Sequence, residues 1–415
     1  MNSRPSHNTQ AILLLTGPLL AGAREEAPVL TFSEYNRLAR LLREWQKQPA
    51  DLLGREAPAL LDHCAAPFGR SRVEALLARG VLLGQVVDRW YERALWVISR
   101  ADPQYPRRLK ARLKESAPLL LYGCGEVALL EGGGLAVVGS READEERLRF
   151  AGEVGRLAAQ AHLPVVSGGA KGVDRAAMWG ALEAGGTAVG VLADSLERAA
   201  LARGNRQALM AERLVLVSPY DPAAGFHVGH AMQRNKAIYA LADAGLVVSS
   251  DLEKGGTWAG AIEQLTRLCL VPVFVRNGPD ASAGNAALLA QGARPWPDLH
   301  DPEDLLAALA AASAMPEARQ ELLVFEASDL APPAPFAPAA QLAVPAAERL
   351  FNEVREILRQ QLAQARTEAE VAELLAVGKP QAKAWLLRLM EERVVEKLAK
   401  PVRYRVTLGA ERLPE

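Results

Sequence analysis

Apolar residues recur along this chain in two rhythms. Up to about residue 110 they fall three and four apart: "TFSEYNRLARLLREW" (31–45) sets Tyr35, Leu38, Leu42 and Trp45 on one helix face, and Thr31 with Glu34 has capping-box spacing. "SRVEALLARG" (71–80) repeats the device, with Ser71 and Glu74 predicting a helix start and Gly80 its stop. From about 130 to 300 the rhythm changes to six short, unbroken apolar runs, "LAVVGS", "LPVVSGG", "TAVGVLA", "LVLVSP", "LVVSS" and "VPVFV", separated by helical stretches. Runs without polar alternation belong to strands covered on both faces, with helices as crossovers, so this pattern predicts a Rossmann-like, doubly wound parallel sheet.

Residues 331–346, "APPAPFAPAAQLAVPA", hold little that could be buried and predict a semi-stiff linker. After it come three helical patterns and then "VVEKLAKPVRYRVTL" as a two-stranded tip, the order of a winged helix; Thr367 with Glu370 repeats the capping-box spacing, and Pro380 suits a first helical turn. The expected organisation is an α/β chain with a helical N-terminal domain over 1–110, an extended Rossmann-like domain over 111–315, an Ala/Pro-rich linker over 316–345 and a winged helix over 346–415.

Composition narrows the class. The chain has 415 residues, half of them apolar, too many for one ordinary core and enough for two or three domains. A formal net charge of -1 excludes a uniformly basic coat for nucleic acid, although a local cationic groove can exist within a neutral total. Cys64, Cys124 and Cys269 form no C-x-x-C pair, which fits a reducing compartment and supplies neither a disulfide nor a zinc framework, so a cytoplasmic protein is expected. "AILLLTGPLLAGA" (11–23) follows Arg4 as a secretory leader would, but it is too short to span a bilayer, and a first buried helix is the preferred reading.

Candidate chemistry sits where predicted strands end in glycine. Ligands of open parallel sheets lie beyond the carboxyl ends of the strands, and three turns there carry glycine and small polar residues: Gly139, Ser140 and Arg141; Ser167, Gly168, Gly169, Lys171 and Gly172, running on to Asp174; and Lys254, Gly255, Gly256 and Thr257. Glycine admits close backbone approach, and unpaired N–H groups at a helix start attract anions, so phosphate is the expected guest, with Arg141 and Lys171 adding full charge. No G-x-x-x-x-G-K-[ST] is present, and the first turn lacks the spaced glycines and downstream acidic residue of a dinucleotide site, which sets aside ATP hydrolysis and NAD chemistry. Each residue also has a structural reading. Ser140 and Ser167 could cap helices, Asp174 could close its turn or orient a cation, Asn235 could brace a loop, and Trp258 could stack on a base or pack beneath the turn. His227 and His230 lie three apart without a third ligand nearby, so no metal is expected, and no cofactor.

The ordered set "YPRRL" (105–109), "LAVVGSR" (135–141), "VVSGGAKGVDRAA" (165–177), "RNKAIYALAD" (234–243), "GGTWAGAIE" (255–263) and "GNAALLAQGA" (284–293) resembles DNA-processing protein A, the DprA or Smf family, over roughly 190 residues. The helical N-terminal part and the winged-helix tail resemble longer members. The resemblance implies a non-catalytic protein that binds single-stranded DNA on an extended Rossmann fold, forms a homodimer and assists loading of the RecA recombinase during DNA uptake, recombination or repair. It places the family's G-S-R on Gly139, Ser140 and Arg141, its second glycine motif on Ser167 to Asp174, with Lys171 where arginine is usual, and its R-N-R on Arg234, Asn235 and Lys236. Ser218 and Pro219 replace a usual acidic residue, and Ser249 and Ser250 a usual Glu-Ala pair, which marks a divergent branch. Lys171 keeps the charge without the planar fork of arginine.

Two further readings stay open. Gly255 through Glu263 is similar to a motif of the nucleotide phosphoribohydrolases, in which Glu263 would be the acidic group of an enzyme acting on nucleotide monophosphates. In the tail, Gln381, Lys383, Arg388, Lys397, Lys400, Arg403 and Arg405 could touch duplex DNA, opposed by Glu391, Glu392 and Glu396, or the winged helix could dock a protein.

Overall fold

The protein is seen in a computed structural model that describes residues 4–19, 27–278, 281–313 and, with gaps, 354–406. The expected linker over 316–345 lies outside the described residues. The chain divides into two compact units, Met1–Val324 and Phe325–Glu415.

The first unit opens with five helices: α1 (His7–Thr16), α2 (Phe32–Glu44), α3 (Ala57–Cys64), α4 (Arg70–Leu77) and α5 (Gly80–Glu92). Thr31 and Glu34 form the capping box expected for α2. The second expected cap is corrected: α4 is capped two residues earlier, by Gly69 at φ 82 in place of Ser71, and Gly80 opens α5 instead of ending α4. The apolar stretch of α1 is an internal helix, with Ala11, Leu13 and Leu15 wholly buried. Among the described residues, no helix is long and apolar enough to cross a membrane.

Next come β1 (Trp96–Ser99), α6 (Arg107–Leu113), β2 (Leu120–Gly125), β3 (Leu135–Val138), α7 (Glu145–Gln160), β4 (Val165–Ser167), α8 (Val173–Glu183), β5 (Ala188–Val191), α9 (Leu196–Leu201) and α10 (Arg203–Met210). They are followed by β6 (Leu214–Ser218), α11 (Val228–Leu241), β7 (Ala244–Val247), α12 (Gly255–Glu263), β8 (Val273–Val275), α13 (Ala283–Ala290), β9 (Arg294–Pro295) and α14 (Pro302–Ser313). The nine strands form one sheet in the order β1-β2-β6-β5-β4-β3-β7-β8-β9. Pairing is parallel from β6 through β9, whereas β2 runs antiparallel to both β1 and β6. All six apolar runs of the sequence are strands in the parallel part. β1, β2 and β9 were not legible as strands, and β1 lies in the stretch expected to be wholly helical.

Both faces of the sheet are covered, and the strand residues alternate between two cores. Leu135 and Val137 join a cluster with α1, α5, α7 and α8, while Ala136 and Val138 face α6, α11 and α12. Because neither face meets water, apolar residues fill both parities of each strand, which is why the runs are continuous. The first cluster does not stop at residue 110: Leu13, Leu38, Leu76 and Trp90 from the N-terminal helices share it with Leu120, Val165 and Leu214, and Trp90 meets Tyr122 of β2 edge-on at 5.1 Å.

Chain order reverses across the β3–β7 pair, with β4 and β5 on one side and β8 and β9 on the other. A crevice at the carboxyl ends of strands is the usual consequence of such a switch point. In the second unit, α15 (Glu368–Leu374) carries the expected Thr367–Glu370 capping box, and β10 (Val395–Leu398) pairs antiparallel with β11 (Arg403–Val406) around a small core of its own.

Candidate functional site

The three glycine turns meet. Val173 N–H donates to the Ser140 carbonyl at 3.2 Å, the Thr257 hydroxyl donates to the Gly139 carbonyl at 3.1 Å, and Ser140 N–H donates to the Ser249 hydroxyl at 3.2 Å. Gly172, at φ 91, lies so close that a Cβ there would strike the Ser140 and Arg141 carbonyls. Two cavities open on this junction. One, of about 510 Å³, is lined by Gly139, Ser140, Arg141, Asn235 and the turn from Lys254 to Thr257. The other, of about 730 Å³, lies on the β4 side and is lined by Gly168, Gly169, Lys171 and Arg175. Arg141, Ala170, Phe226 and Arg234 belong to both.

Arg141 and Phe226 make the exposed crest between the cavities. The guanidinium lies over the ring at 4.9 Å from its centroid, and Phe226 is 54% exposed. A cation at a helix entrance is unfavourable unless an anion visits, and here the ring face holds the arginine in place. Phe226 was not legible as a site residue, because "GFHVGH" carries no glycine-turn signal and its ring reaches the crest only through the loop ahead of α11.

Beneath the crest lie two buried groups of opposite charge, Asp174 and Arg234. Asp174 lies against the backbone N–H groups of Gly139, Gly168 and Ala170, which favour its charged form, and faces Arg234; both side chains are buried. Burial pushes the Asp174 carboxyl up and Arg234 down, and each holds its partner in the charged form against that pressure. Arg234 Nε and the Tyr239 hydroxyl, both buried, have no hydrogen-bond partner among the described residues.

Other expected site residues are committed elsewhere. Ser167 is wholly buried and donates to the Val137 carbonyl at 2.5 Å, so it braces strands and faces no cavity. Lys236 pairs with Glu263 at 3.3 Å and lines neither cavity. Asn235 donates to the Gly256 carbonyl at 2.8 Å and thereby holds the start of α12. Trp258 packs against the core, His227 accepts from Gly229 N–H as the cap of α11, and His230 stacks on Tyr220 at 3.7 Å. "YPRRL" is far from the crest: Arg108 pairs with Asp243 at 2.5 Å ahead of β7, and Arg112 donates to the Ala240 carbonyl at the end of α11. In the tail, Gln381, Lys383, Arg388, Lys400, Glu391 and Glu392 lie outside the described residues, as does the Lys397 side chain, while Arg405 pairs with Glu396 at 2.7 Å and Arg403 donates to the Ala365 carbonyl at 2.9 Å.

Comparison with known proteins bears on the same region. The family model for DNA recombination-mediator protein A matches residues 96–310, from β1 to the last turns of α14 and more than half of the chain. The chain belongs to that family. It is 31% identical over 233 residues to a DNA processing protein DprA of Mycobacterium tuberculosis, covering 53% of this chain and 56% of that protein, so it spans about half the length of that relative. To the DNA processing protein DprA of Bacillus subtilis it is 26% identical over 283 residues, 65% of this chain and 92% of the relative. The X-ray structure of DprA from Streptococcus pneumoniae superposes with a TM-score of 0.51 at 22% identity, over 67% of this chain and 93% of that one, a likeness of fold. The family match takes in every residue of the two cavities and leaves out α1 to α5 and the whole second unit.

Proposed function

We propose that the crest and its two cavities bind single-stranded DNA, without cleaving it, in the service of recombination. The observation that carries this reading is the Arg141–Phe226 pair: a cation for the phosphate chain lies against an exposed aromatic face, the two elements that sequence-tolerant single-strand binders combine. Membership of a recombination-mediator family and relatives described as DNA processing proteins support it. The enzymatic alternative loses its acid, because Glu263 is neutralised by Lys236 and Arg267 and lines neither cavity. In this reading a RecA-type recombinase is the protein partner, the chain acts in the cytoplasm as a homodimer, and the second unit is a winged helix. Because Arg403 and Arg405 have internal partners, that winged helix is read as docking protein more readily than duplex DNA.

Titration of a fluorescent oligodeoxynucleotide at several salt concentrations tests the reading. The double variant Arg141→Ala, Lys171→Ala should bind at least about tenfold more weakly, with a shallower dependence of affinity on salt. Phe226→Ala should lose a similar factor and keep the salt slope of the wild type. Unchanged affinity in both variants would remove single-stranded DNA as the ligand.

A further inference from the structure

The pairing that makes the crest, an arginine over an exposed phenylalanine, recurs beside the N-terminal helices. The Arg100 guanidinium lies 5.9 Å from the centroid of the Phe32 ring, and Phe32 is 43% exposed. Arg100 also donates to the Asn36 side chain and, at 3.2 Å, to the Glu115 carbonyl, which fixes it against α2. On α2 itself, Phe32, Asn36, Arg40 and Arg43 follow one another at helical spacing in one stripe, beside the buried face of Tyr35, Leu38 and Leu42. Lys110 of α6 joins them, donating to the Arg100 carbonyl at 2.9 Å. Arg40, Arg43, Arg100 and Lys110 make no ion pair among the described residues, and the neighbouring carboxylates are Glu44, next along α2, and Glu115. Burial above all, and then Arg43, works against the Arg100 charge, and Glu115 with two tyrosines offsets this only in part. An anion beside Arg100 would complete the balance.

Topology sets this patch on the edge that carries the crest. β1 is antiparallel to β2 and β2 to β6, and β6 is parallel through β5 and β4 to β3, so Arg100, directly after β1, leaves the sheet at the end where β3 and β4 run into the glycine turns. Five strand steps separate β1 from β3, about 24 Å at the usual strand spacing. We propose that the patch is a second contact for the DNA strand, taking its phosphates on Arg40, Arg43, Arg100 and Lys110 where the strand runs past the crest. The inference rests on the DNA-binding reading. A polynucleotide suits both places at once, because its charges and flat bases repeat along its length, and an exposed ring among arginines favours it over an acidic peptide, which brings charge without a flat partner. Phe32, Arg40 and Arg43 lie outside the family match, which begins at residue 96. The N-terminal helices then lengthen the binding edge as well as covering the core.

Strand length separates the two contacts. Arg40 and Arg43 are exposed on α2, so the double variant Arg40→Ala, Arg43→Ala keeps the helix, and a thermal melt of the full chain checks that it does. Affinity would be measured for oligothymidylates of about 6 and about 16 nucleotides, within the range of single-strand site sizes, at several salt concentrations. The variant should bind the short strand as wild type does, because the crest is intact. It should bind the long strand about tenfold more weakly, with a slope of log affinity against log salt shallower by about 1.4, the share of two phosphate contacts on a single strand. Equal affinity and slope for the long strand in both proteins overturns the proposal and leaves the patch to an acidic protein surface. An equal loss for both lengths also overturns it, since that marks a general field and not a contact. Should wild type bind neither length, the DNA reading itself fails, an outcome distinct from a wild type that binds and a variant that matches it.

Discussion

Asp174 shows what a glycine-rich turn does when its ligand is part of the chain. Its buried carboxylate lies against the amides of Gly139, Gly168 and Ala170, which favour its charged form, and Arg234 faces it from α11. This arrangement requires glycine at 168, where a Cβ would collide with the Arg234 guanidinium and lie 2.5 Å from an Asp174 oxygen. Gly168→Ala should therefore displace the Arg234 guanidinium from Asp174 and cost about 1–3 kcal/mol, the range of overpacking at a buried site. The matched control is Gly84→Ala, in the middle of α5 with nothing near its Cβ position, which should gain about 0.5–1 kcal/mol from helix propensity. Urea unfolding of both variants reads the contrast, and equal stabilities would mean that the pair does not hold the turns. The glycines themselves were legible because the chain needs them locally. The destination of their amides was not, because it depends on an arginine sixty residues downstream arriving beneath the same turn. Lys236 and Ser167 mislead for the same reason: a lysine after an asparagine and a serine before two glycines carry no local sign of the Glu263 carboxylate or the Val137 carbonyl that engages them.

At the scale of elements, local signals succeed where the interaction they report is itself local. The Thr31–Glu34 box is closed by contacts three residues apart, and the structure adds a partner from α4: Arg72 donates to Glu34 at 2.8 Å and to the Val29 carbonyl at 2.7 Å. With both, the Glu34 carboxyl is held down to about 2, below the usual 4.5, first by Arg72 and then by the Thr31 N–H. A carboxylate with a lowered pKa in the folded state contributes stability that is complete above the unfolded value and is lost as pH falls toward the folded one. The advantage of wild type over Glu34→Gln should thus be about 1 kcal/mol near neutral pH, allowing for the partial exposure of the pair, and should vanish between the usual carboxylate range and about pH 2. Chemical denaturation across that range measures it, and a difference independent of pH would assign the cost to packing. Strands follow the same division. Six were legible because burial on both faces writes an unbroken apolar run, whereas β2 ends in Gly-Cys-Gly and β9 is two residues long with a proline, which suits only an edge.

For the whole molecule, the boundary drawn by family resemblance and the boundary drawn by packing disagree. The family match begins at β1, as though the helices before it were an appendage, yet α1 and α5 bury their apolar faces in the same cluster as one face of the sheet. Hydrogen bonds cross the same line: Asn36 donates to the Glu115 carbonyl, and Ser6 shares Asp102 with Ser99. Removing residues 1–95 would strip the N-terminal helices from Tyr122, Leu120 and Val97 and leave an apolar sheet face that α9 and α10 cover only in part. The fragment 96–324 should bind a hydrophobic dye and unfold without a sharp transition, while 1–324 melts cooperatively in a single step. Calorimetry of the two fragments decides between the boundaries. A cooperative melt of 96–324 within a few degrees of the longer fragment would make the N-terminal helices a separate domain, and a single transition confined to 1–324 would make them the lid of the core on which the crest is built.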